Sequence, residues 1–212
     1  MKKTLLTLVI ALAVLSADAQ IEKLAGPRVG ITMVSAGSLA SILRKDVPLF
    51  SDDVREEWTG STGKYGTVMS QYGWQWESRF ADGGNVTGIV EWIALVGGME
   101  KGFFLPSISS MVGVRTAKGI EFAAGPNLSL GGIAMVIGAG YNFKFGNLNL
   151  PVNIVYVPSM NKTYDHEAEY DHTHMWDDEG NLLEPVLDKQ AYSVTHPTGA
   201  RVSIMVGFNL SK

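Results

Sequence analysis

The stretch Ile133–Val157, IAMVIGAGYNFKFGNLNLPVNIVYV, decides the fold. On both sides of Gly146 and Asn147, apolar side chains occupy every second position, and mostly small or polar side chains lie between them. Such alternation places the two sets on opposite faces of a β-strand. Gly-Asn is a two-residue connector that accepts positive φ. The stretch therefore predicts a β-hairpin in which Phe145 lies opposite Leu148.

The same alternation recurs along the chain and predicts eight strands in all. An even number of antiparallel strands with short turns is typical of an up-and-down barrel. The predicted strands are Arg28–Ala36, Met69–Phe80, Val86–Gly97, Phe104–Arg115, Ile120–Leu130, Ile133–Phe145, Leu148–Val157 and Ala200–Leu210.

The turns between these strands provide an independent check on the alternation. Closing each one places an apolar residue opposite an apolar residue, and a slip of one residue would turn a whole strand over. The five hairpins therefore predict one continuous apolar face and one continuous polar face. The remaining expected pairs are Phe80 with Val86, Val96 with Phe104, Val114 with Ile120, and Leu130 with Ile133.

Alternation alone leaves open which face points inward. A soluble lipocalin-like carrier would place the apolar face inside, whereas an outer-membrane barrel would place it against lipid. Three features favour the membrane: strand lengths that match a tilted transmembrane strand of about 9–11 residues, aromatic residues at the strand ends, and a polar face with few charges. The expected aromatic girdle is Phe80, Tyr141, Phe143, Phe145 and Phe208 at one rim, and Phe104 and Tyr156 at the other.

The polar face carries seven charges of mixed sign. Inside a narrow barrel such charges must pair, because an unpaired buried charge is costly. We therefore expect a lumen charge network. Its predicted members are Glu77, Arg79, Glu91, Arg115, Glu121, Lys144 and Arg201.

The N-terminal residues have the form of a secretory signal. A basic start is followed by an apolar run that is too short to span a bilayer, and Ala17-Asp18-Ala19 resembles a cleavage site. We expect residues 1–19 to be a signal peptide and residues 20–212 to form a single barrel domain.

Composition excludes several classes of function. The chain has 212 residues, 46% of them hydrophobic and 18% charged, and no cysteine. Disulfide scaffolds, thiolate zinc sites and thiol catalysis are thereby excluded. A formal net charge of -4 gives no basic footprint, so we expect no nucleic-acid partner.

Two long connections, Gly37–Val68 and Ser159–Thr198, follow the first and seventh predicted strands and should lie at the same end of the barrel. In the first of them, Ser38 is expected to cap a short helix. Leu39, Ile42 and Leu43 would form the apolar stripe of that helix. Three placements of this helix are open: it plugs the barrel mouth, it lies at the membrane interface, or it packs on a neighbouring loop.

The second connection is strongly acidic, with nine acidic residues and two lysines between Ser159 and His196. It also holds all four histidines. Imidazole and carboxylate suit zinc, copper or nickel, and carboxylates alone suit calcium, although the spacing matches no standard metal signature. A solvated acidic loop is the alternative. The candidate ligands are His166, Asp171, His172, His174 and Asp177.

The segments GGIAMVIGAGYNFKF (Gly131–Phe145), GNLNLPVNIVYVPS (Gly146–Ser159) and GARVSIMVGFNL (Gly199–Leu210) resemble small eight-stranded outer-membrane β-barrel proteins of Gram-negative bacteria. The resemblance implies an all-β, eight-stranded antiparallel transmembrane up-and-down β-barrel with a short helix in the first long loop. It also implies an outer-membrane location with both termini in the periplasm, and a monomer. Expected partners are outer-membrane lipid, lipopolysaccharide and, during assembly, the barrel-insertion machinery.

The resemblance says little about function, because the class includes adhesins, structural barrels and a few lipid-modifying enzymes. A non-catalytic structural or surface-interaction role is the expected function, and the acidic loop 159–196 is the candidate element for binding a partner or cation. No cofactor is expected apart from such a cation. Ser193 and His196, near the outer rim, keep open the alternative of a lipid-modifying enzyme, and the lipocalin-like carrier is the other alternative.

Overall fold

The computed structural model describes residues 24–47, 63–171 and 186–210. Within these residues, eight antiparallel strands close into a barrel, and the eighth is interrupted at Phe208. The predicted signal peptide lies outside the described residues. In chain order the strands are β1 (Leu24–Val34), β2 (Thr67–Asp82), β3 (Val86–Gly97), β4 (Leu105–Thr116), β5 (Ile120–Ser129), β6 (Gly132–Phe145), β7 (Leu148–Val157), β8 (Asn161–His166), β9 (Glu169–Asp171), β10 (Val186–Lys189), β11 (Tyr192–Pro197), β12 (Arg201–Gly207) and β13 (Asn209–Leu210).

The barrel strands follow one another in up-and-down order. β1 to β7 pair successively, and β12 closes the barrel by pairing with both β7 and β1. Ile204 in β12 lies opposite Ile31 on one side and Ile154 on the other. β13 continues the eighth strand along β7. The predicted all-β, eight-stranded closed barrel is confirmed.

The predicted Gly146-Asn147 hairpin is also confirmed, with Phe145 opposite Leu148. Three other hairpins are shifted by two residues from the predicted pairing. The observed pairs are Val96 with Pro106, Val114 with Phe122, and Leu128 with Ile133. Because the shift is even, every side chain keeps its predicted face.

The positions of the positive-φ glycines explain part of these shifts. Gly119 (φ 96°) ends a three-residue loop after Thr116, and Gly132 (φ 109°) follows a turn made by Leu130 and Gly131. The residues that form these turns therefore differ from the ones that the expected pairs assume. The predicted pairing of Phe80 with Val86 is wrong, because β2 bulges between Arg79 and Ala81.

The two ends of the barrel differ. One, the turn end, carries the short connections 83–85, 117–119 and 146–147, together with Leu24 and Leu210. The other, the loop end, carries the connections 98–104 and 130–131 and both long connections, 35–66 and 158–200. The expectation that the two long connections share one end is confirmed.

A short helix, α1 (Ser38–Leu43), follows β1 at the loop end, in the predicted place. Its buried residues include Ala40 and Leu43, which join Val34, Met69 and Leu105 in an apolar cluster. The expected cap is wrong, since Gly37 occupies the N-cap position and no side chain caps the helix. Neither α1 nor any other helix among the described residues is long and apolar enough to cross a membrane.

The two faces of the barrel wall have opposite burial. Inward positions are polar or small in much of the barrel, and Thr32, Gln75 and Glu77 are at most 1% exposed. Outward positions are large and apolar, and each strand carries them. Each barrel strand has at least one such side chain with 43–61% of its surface exposed, and the examples in strand order are Ile31, Trp74, Trp92, Ile108, Phe122, Met135, Ile154 and Ile204.

Candidate functional site in the barrel interior

A charge cluster fills the turn-end half of the interior. Arg115 of β4 donates two hydrogen bonds to the carboxylate of Glu77 across the intervening strand β3, at 2.5 and 2.6 Å. Its Nε donates to Glu121 of β5 at 2.5 Å. Asn153 of β7 donates to the second oxygen of Glu121 at 3.2 Å. One guanidinium therefore holds two buried carboxylates in charge-assisted hydrogen bonds.

A second arginine lies beside this cluster. Nε of Arg28 in β1 donates to Gln75 at 2.5 Å, and the amide of Gln75 donates to Glu91 at 2.6 Å. Arg28 also donates to the Pro151 carbonyl at 3.4 Å. A Cβ on Gly207 would lie 1.9 Å from a nitrogen of this guanidinium, so a glycine there leaves room for it. Gln75 thus links an arginine and a glutamate that do not touch directly.

The sequence did not single out Arg28 or Gln75. Arg28 lies in the strand with the weakest alternation, yet it has the same parity as Thr32, which faces inward. Gln75 has the same parity as Glu77 and is uncharged. Both residues could have been predicted as members of the network from their place on the inward face of the strand, without regard to their charge.

Replacing Gln75 by leucine is expected to lower the free energy of unfolding by about 1–3 kcal/mol, because Arg28 and Glu91 each lose a buried partner. Urea unfolding of the refolded protein would measure this. The matched control is Lys144→Leu, at an exposed side chain. An equal, small effect of both substitutions would contradict the bridging role of Gln75.

The structure divides the seven predicted network charges. Glu77, Glu91, Arg115 and Glu121 are all buried in the interior. Arg79 is half-buried and Lys144 is exposed at the turn end. Arg201 is half-buried near the loop end, where it donates to Asn127 at 3.1 Å. Among the described residues, Lys144 and Arg201 form no ion pair.

Neutral polar groups lie between the charge cluster and the loop end. The hydroxyl of Thr32 donates to Gln71 at 2.6 Å and lies 2.7 Å from the hydroxyl of Ser203. Asn127 donates to Ser109 at 2.9 Å. These groups satisfy one another, as buried polar groups in folded proteins do.

The loop-end half of the interior is partly apolar, which the sequence analysis missed. Inward residues of β4 to β7 form a buried cluster there, with Ile93, Val155 and Met160 packed against it. The alternation places these residues on the polar face, but their side chains are apolar. The buried members of the cluster are Met111, Ala123, Ala134, Val136 and Val157.

The predicted girdle residues all lie on the outer surface at strand ends. The five assigned to one rim lie toward the turn end, where the rings of Tyr141 and Phe143 are 4.7 Å apart. Phe104 and Tyr156 lie toward the loop end. All seven are at least 40% exposed.

No family model matches this chain, and neither the curated proteins nor the solved structures contain a match to it.

Two short antiparallel strand pairs lie within the long connection 158–200 at the loop end. β8 pairs with β11, and β9 pairs with β10. Of the candidate metal ligands, His172, His174 and Asp177 lie outside the described residues, and only the backbone of His166 and Asp171 is described. No group of three or more metal-ligating side chains occurs among the described residues.

The structure does not bring Ser193 and His196 together. They are three positions apart in β11, so their side chains face opposite sides. Ser193 is exposed and donates to Asp165 at 2.6 Å, whereas His196 is 1% exposed. This arrangement does not favour a serine–histidine site.

Two groups at the loop end have shifted pKa values. The hydrogen bond and charge of Glu169, 2.9 Å from Lys189, raise the pKa of that lysine. Desolvation acts to raise the pKa of Glu100, but hydrogen bonds donated by Ser70 outweigh it and lower that pKa. Both groups therefore stay charged over a wider pH range than usual.

Proposed function

We propose that this chain is an integral β-barrel protein of a bacterial outer membrane with a non-catalytic role. It either supports the envelope or presents its loop end to an outside partner. The observation that carries the proposal is the outward face, which is large and apolar on every barrel strand, while carboxylates and guanidinium groups are buried inside.

An outer surface of this kind is unfavourable in water. Soluble monomers seldom expose a contiguous apolar patch of more than roughly 300–600 Å², and here exposed apolar side chains surround the barrel. Hydrocarbon suits it, because a closed barrel satisfies its backbone hydrogen bonds internally and leaves no edge. The aromatic side chains at both ends are typical of residues at membrane interfaces.

The asymmetry of the two ends supports an orientation. Barrels of this kind have short periplasmic turns and longer extracellular loops. The turn end would therefore face the periplasm, with Leu24 and Leu210 on that side. The loop end would meet lipopolysaccharide and any outside partner.

The interior supports a structural role over transport. A barrel of eight strands is just wide enough for side chains to fill. Here Arg28, Arg115 and the three buried glutamates occupy the turn-end half. A soluble carrier would need the reverse arrangement, with its apolar face turned inward.

The location is tested by membrane fractionation combined with gel mobility of unboiled and boiled protein. The expected result is a chain that sediments with outer membranes, requires detergent for extraction and changes mobility on boiling. Recovery as a soluble protein without detergent would contradict the proposal.

The acidic stretch 159–196 remains the element proposed to bind a partner or cation at the loop end. Its net charge of -7 would attract cations or basic groups. Calorimetry with zinc and with calcium tests the cation version. Uptake of either metal supports it, and the absence of uptake by folded protein removes it.

A further inference from the structure

We propose that the loop-end half of the interior binds a single-chain anionic amphiphile, a molecule with a carboxylate or phosphate head and one alkyl chain. Arg201 and Lys162 would hold the head, and the apolar wall formed by β4 to β7 would hold the chain. This site goes beyond a structural role, and its geometry does not depend on the surrounding medium.

The site begins as an open pocket at the loop end, here called the mouth pocket. α1 lies on one side of it, through Leu39 and Ile42, and Leu130 and Met160 contribute to the other side. Its cavity volume is about 240 Å³. That is somewhat smaller than the roughly 300–1,000 Å³ of pockets that bury drug-sized ligands. The helix therefore covers part of the barrel mouth and leaves space for a ligand beside it.

The charge of the mouth pocket is of one sign. Of the described residues that line it, Lys162 and Arg201 are the charged ones, and no acidic side chain is among them. Arg201 has Asn127 as its hydrogen-bond partner and forms no ion pair among the described residues. A pocket with two cations, in a chain of net charge -4, is complementary to an anion.

The apolar part continues inward from Arg201. The mouth pocket and a deeper cavity share Gln71, Ser107 and Arg201, so the two spaces adjoin. Ala134 and Met160 line the upper space. Met111 and Val136 line the lower one, a cavity of about 70 Å³ whose lining also includes Arg28, Glu91 and Glu121. All four belong to one apolar cluster or pack against it. The alkyl chain would lie along the part of this wall in the mouth pocket, because the lower cavity is small and contains the buried carboxylates.

These features together select the class of ligand. A small inorganic anion would leave the apolar wall against water, and a neutral alkane would leave Lys162 and Arg201 without an anionic partner. An anionic head with one chain satisfies both parts. An eight-stranded barrel can hold one small ligand of this kind, whereas the part-covered mouth leaves little room for a molecule with several chains.

The test is a titration of the full chain with dodecanoate, dodecyl phosphate, dodecanol and inorganic phosphate. The protein is reconstituted in lipid nanodiscs, and the heat measured with empty discs is subtracted. Both dodecyl anions are expected to bind at least tenfold more tightly than dodecanol, and inorganic phosphate should bind weakly. A preference between the two anions would distinguish a fatty acid from a phospholipid-like head. Equal binding of dodecanol, or of inorganic phosphate, would overturn the proposal.

Two substitutions locate the site. Arg201→Gln and Lys162→Gln remove the cations without leaving a described carboxylate unpaired, so both variants should fold. Each is expected to weaken dodecanoate binding by about tenfold, since each removes a charge-assisted contact. Lys144→Gln, at the exposed opposite end, is the matched control and should bind as the unmodified chain does. Unchanged binding by both pocket variants would overturn the proposal.

Failure of this proposal is distinguishable from failure of the membrane proposal. A chain that does not enter nanodiscs contradicts the membrane location, and it can then be titrated directly in solution. A chain that enters nanodiscs and binds neither dodecyl anion contradicts the amphiphile site alone.

Discussion

Replacing Arg115 by leucine is expected to lower the free energy of unfolding by about 3–5 kcal/mol, the usual cost of breaking a buried ion pair by removing one partner. The guanidinium holds Glu77 and Glu121 at 2.5 Å each, and all three side chains are nearly inaccessible to solvent. Without it, two buried carboxylates lose the one guanidinium that contacts both of them. Urea unfolding of refolded protein in detergent or lipid would measure the loss.

Two further variants separate this electrostatic cause from loss of packing. Lys144→Leu removes an exposed cation and should change the free energy of unfolding by less than about 0.5 kcal/mol. Adding Glu77→Gln and Glu121→Gln to Arg115→Leu should recover part of the loss, because the stranded carboxylates are then neutral. A loss in Arg115→Leu that these two changes leave untouched would contradict the electrostatic cause.

Replacing Ile154 by arginine is expected to cost about 2–4 kcal/mol of stability in a bilayer, the range for arginine on the lipid face near the midplane. Ile154 is 60% exposed and lies between Ala139 and Ile204, near the middle of the outer wall. In water, an exposed side chain of this kind would tolerate arginine within about 0.5 kcal/mol. The substitution therefore distinguishes lipid from solvent at one position.

Ile133→Arg is the matched control for this substitution. Ile133 is 67% exposed and is the second residue of β6, next to the turn at the loop end. Near an interface the cost of arginine falls to about 0–1 kcal/mol. Equal effects at Ile154 and Ile133 would contradict a bilayer around the middle of the barrel.

The face assignment could be read from sequence because side chains alternate with a period of two. Alternation separates Ile154 and Trp92 from Glu91 and Arg115, and the strand lengths, the aromatic strand ends and the few charges of the polar face predicted that the apolar set lies outside. The structure places Ile154 and Trp92 outside and the two charged residues inside. Pairing register was less accessible, since it depends on which glycine adopts a positive φ. Gly132 has a positive φ and Leu130 and Gly131 form the turn, so the β5–β6 pairing lies two residues from the predicted one.

The contacts inside the barrel were beyond the reach of sequence patterns. Alternation shows that Glu77 and Arg115 lie on the same face, but their contact spans the strand between them and depends on barrel curvature. The pattern also suggested an ionic partner for Arg201, whereas the structure gives it Asn127. The apolar loop-end half consists of inward residues such as Val136 and Val157, and Met160 of the long connection packs against them.

The central claim is that hydrocarbon contacts the outer wall, and tryptophan fluorescence tests it most directly. Trp74, Trp76 and Trp92 point outward with 43–53% of their surface exposed. In a variant with Trp58→Phe and Trp176→Phe, these three are the tryptophans that remain. After reconstitution, lipids with brominated acyl chains should strongly quench the emission, and aqueous acrylamide should have little effect. Strong quenching by acrylamide, with no effect of the brominated chains, would contradict the account.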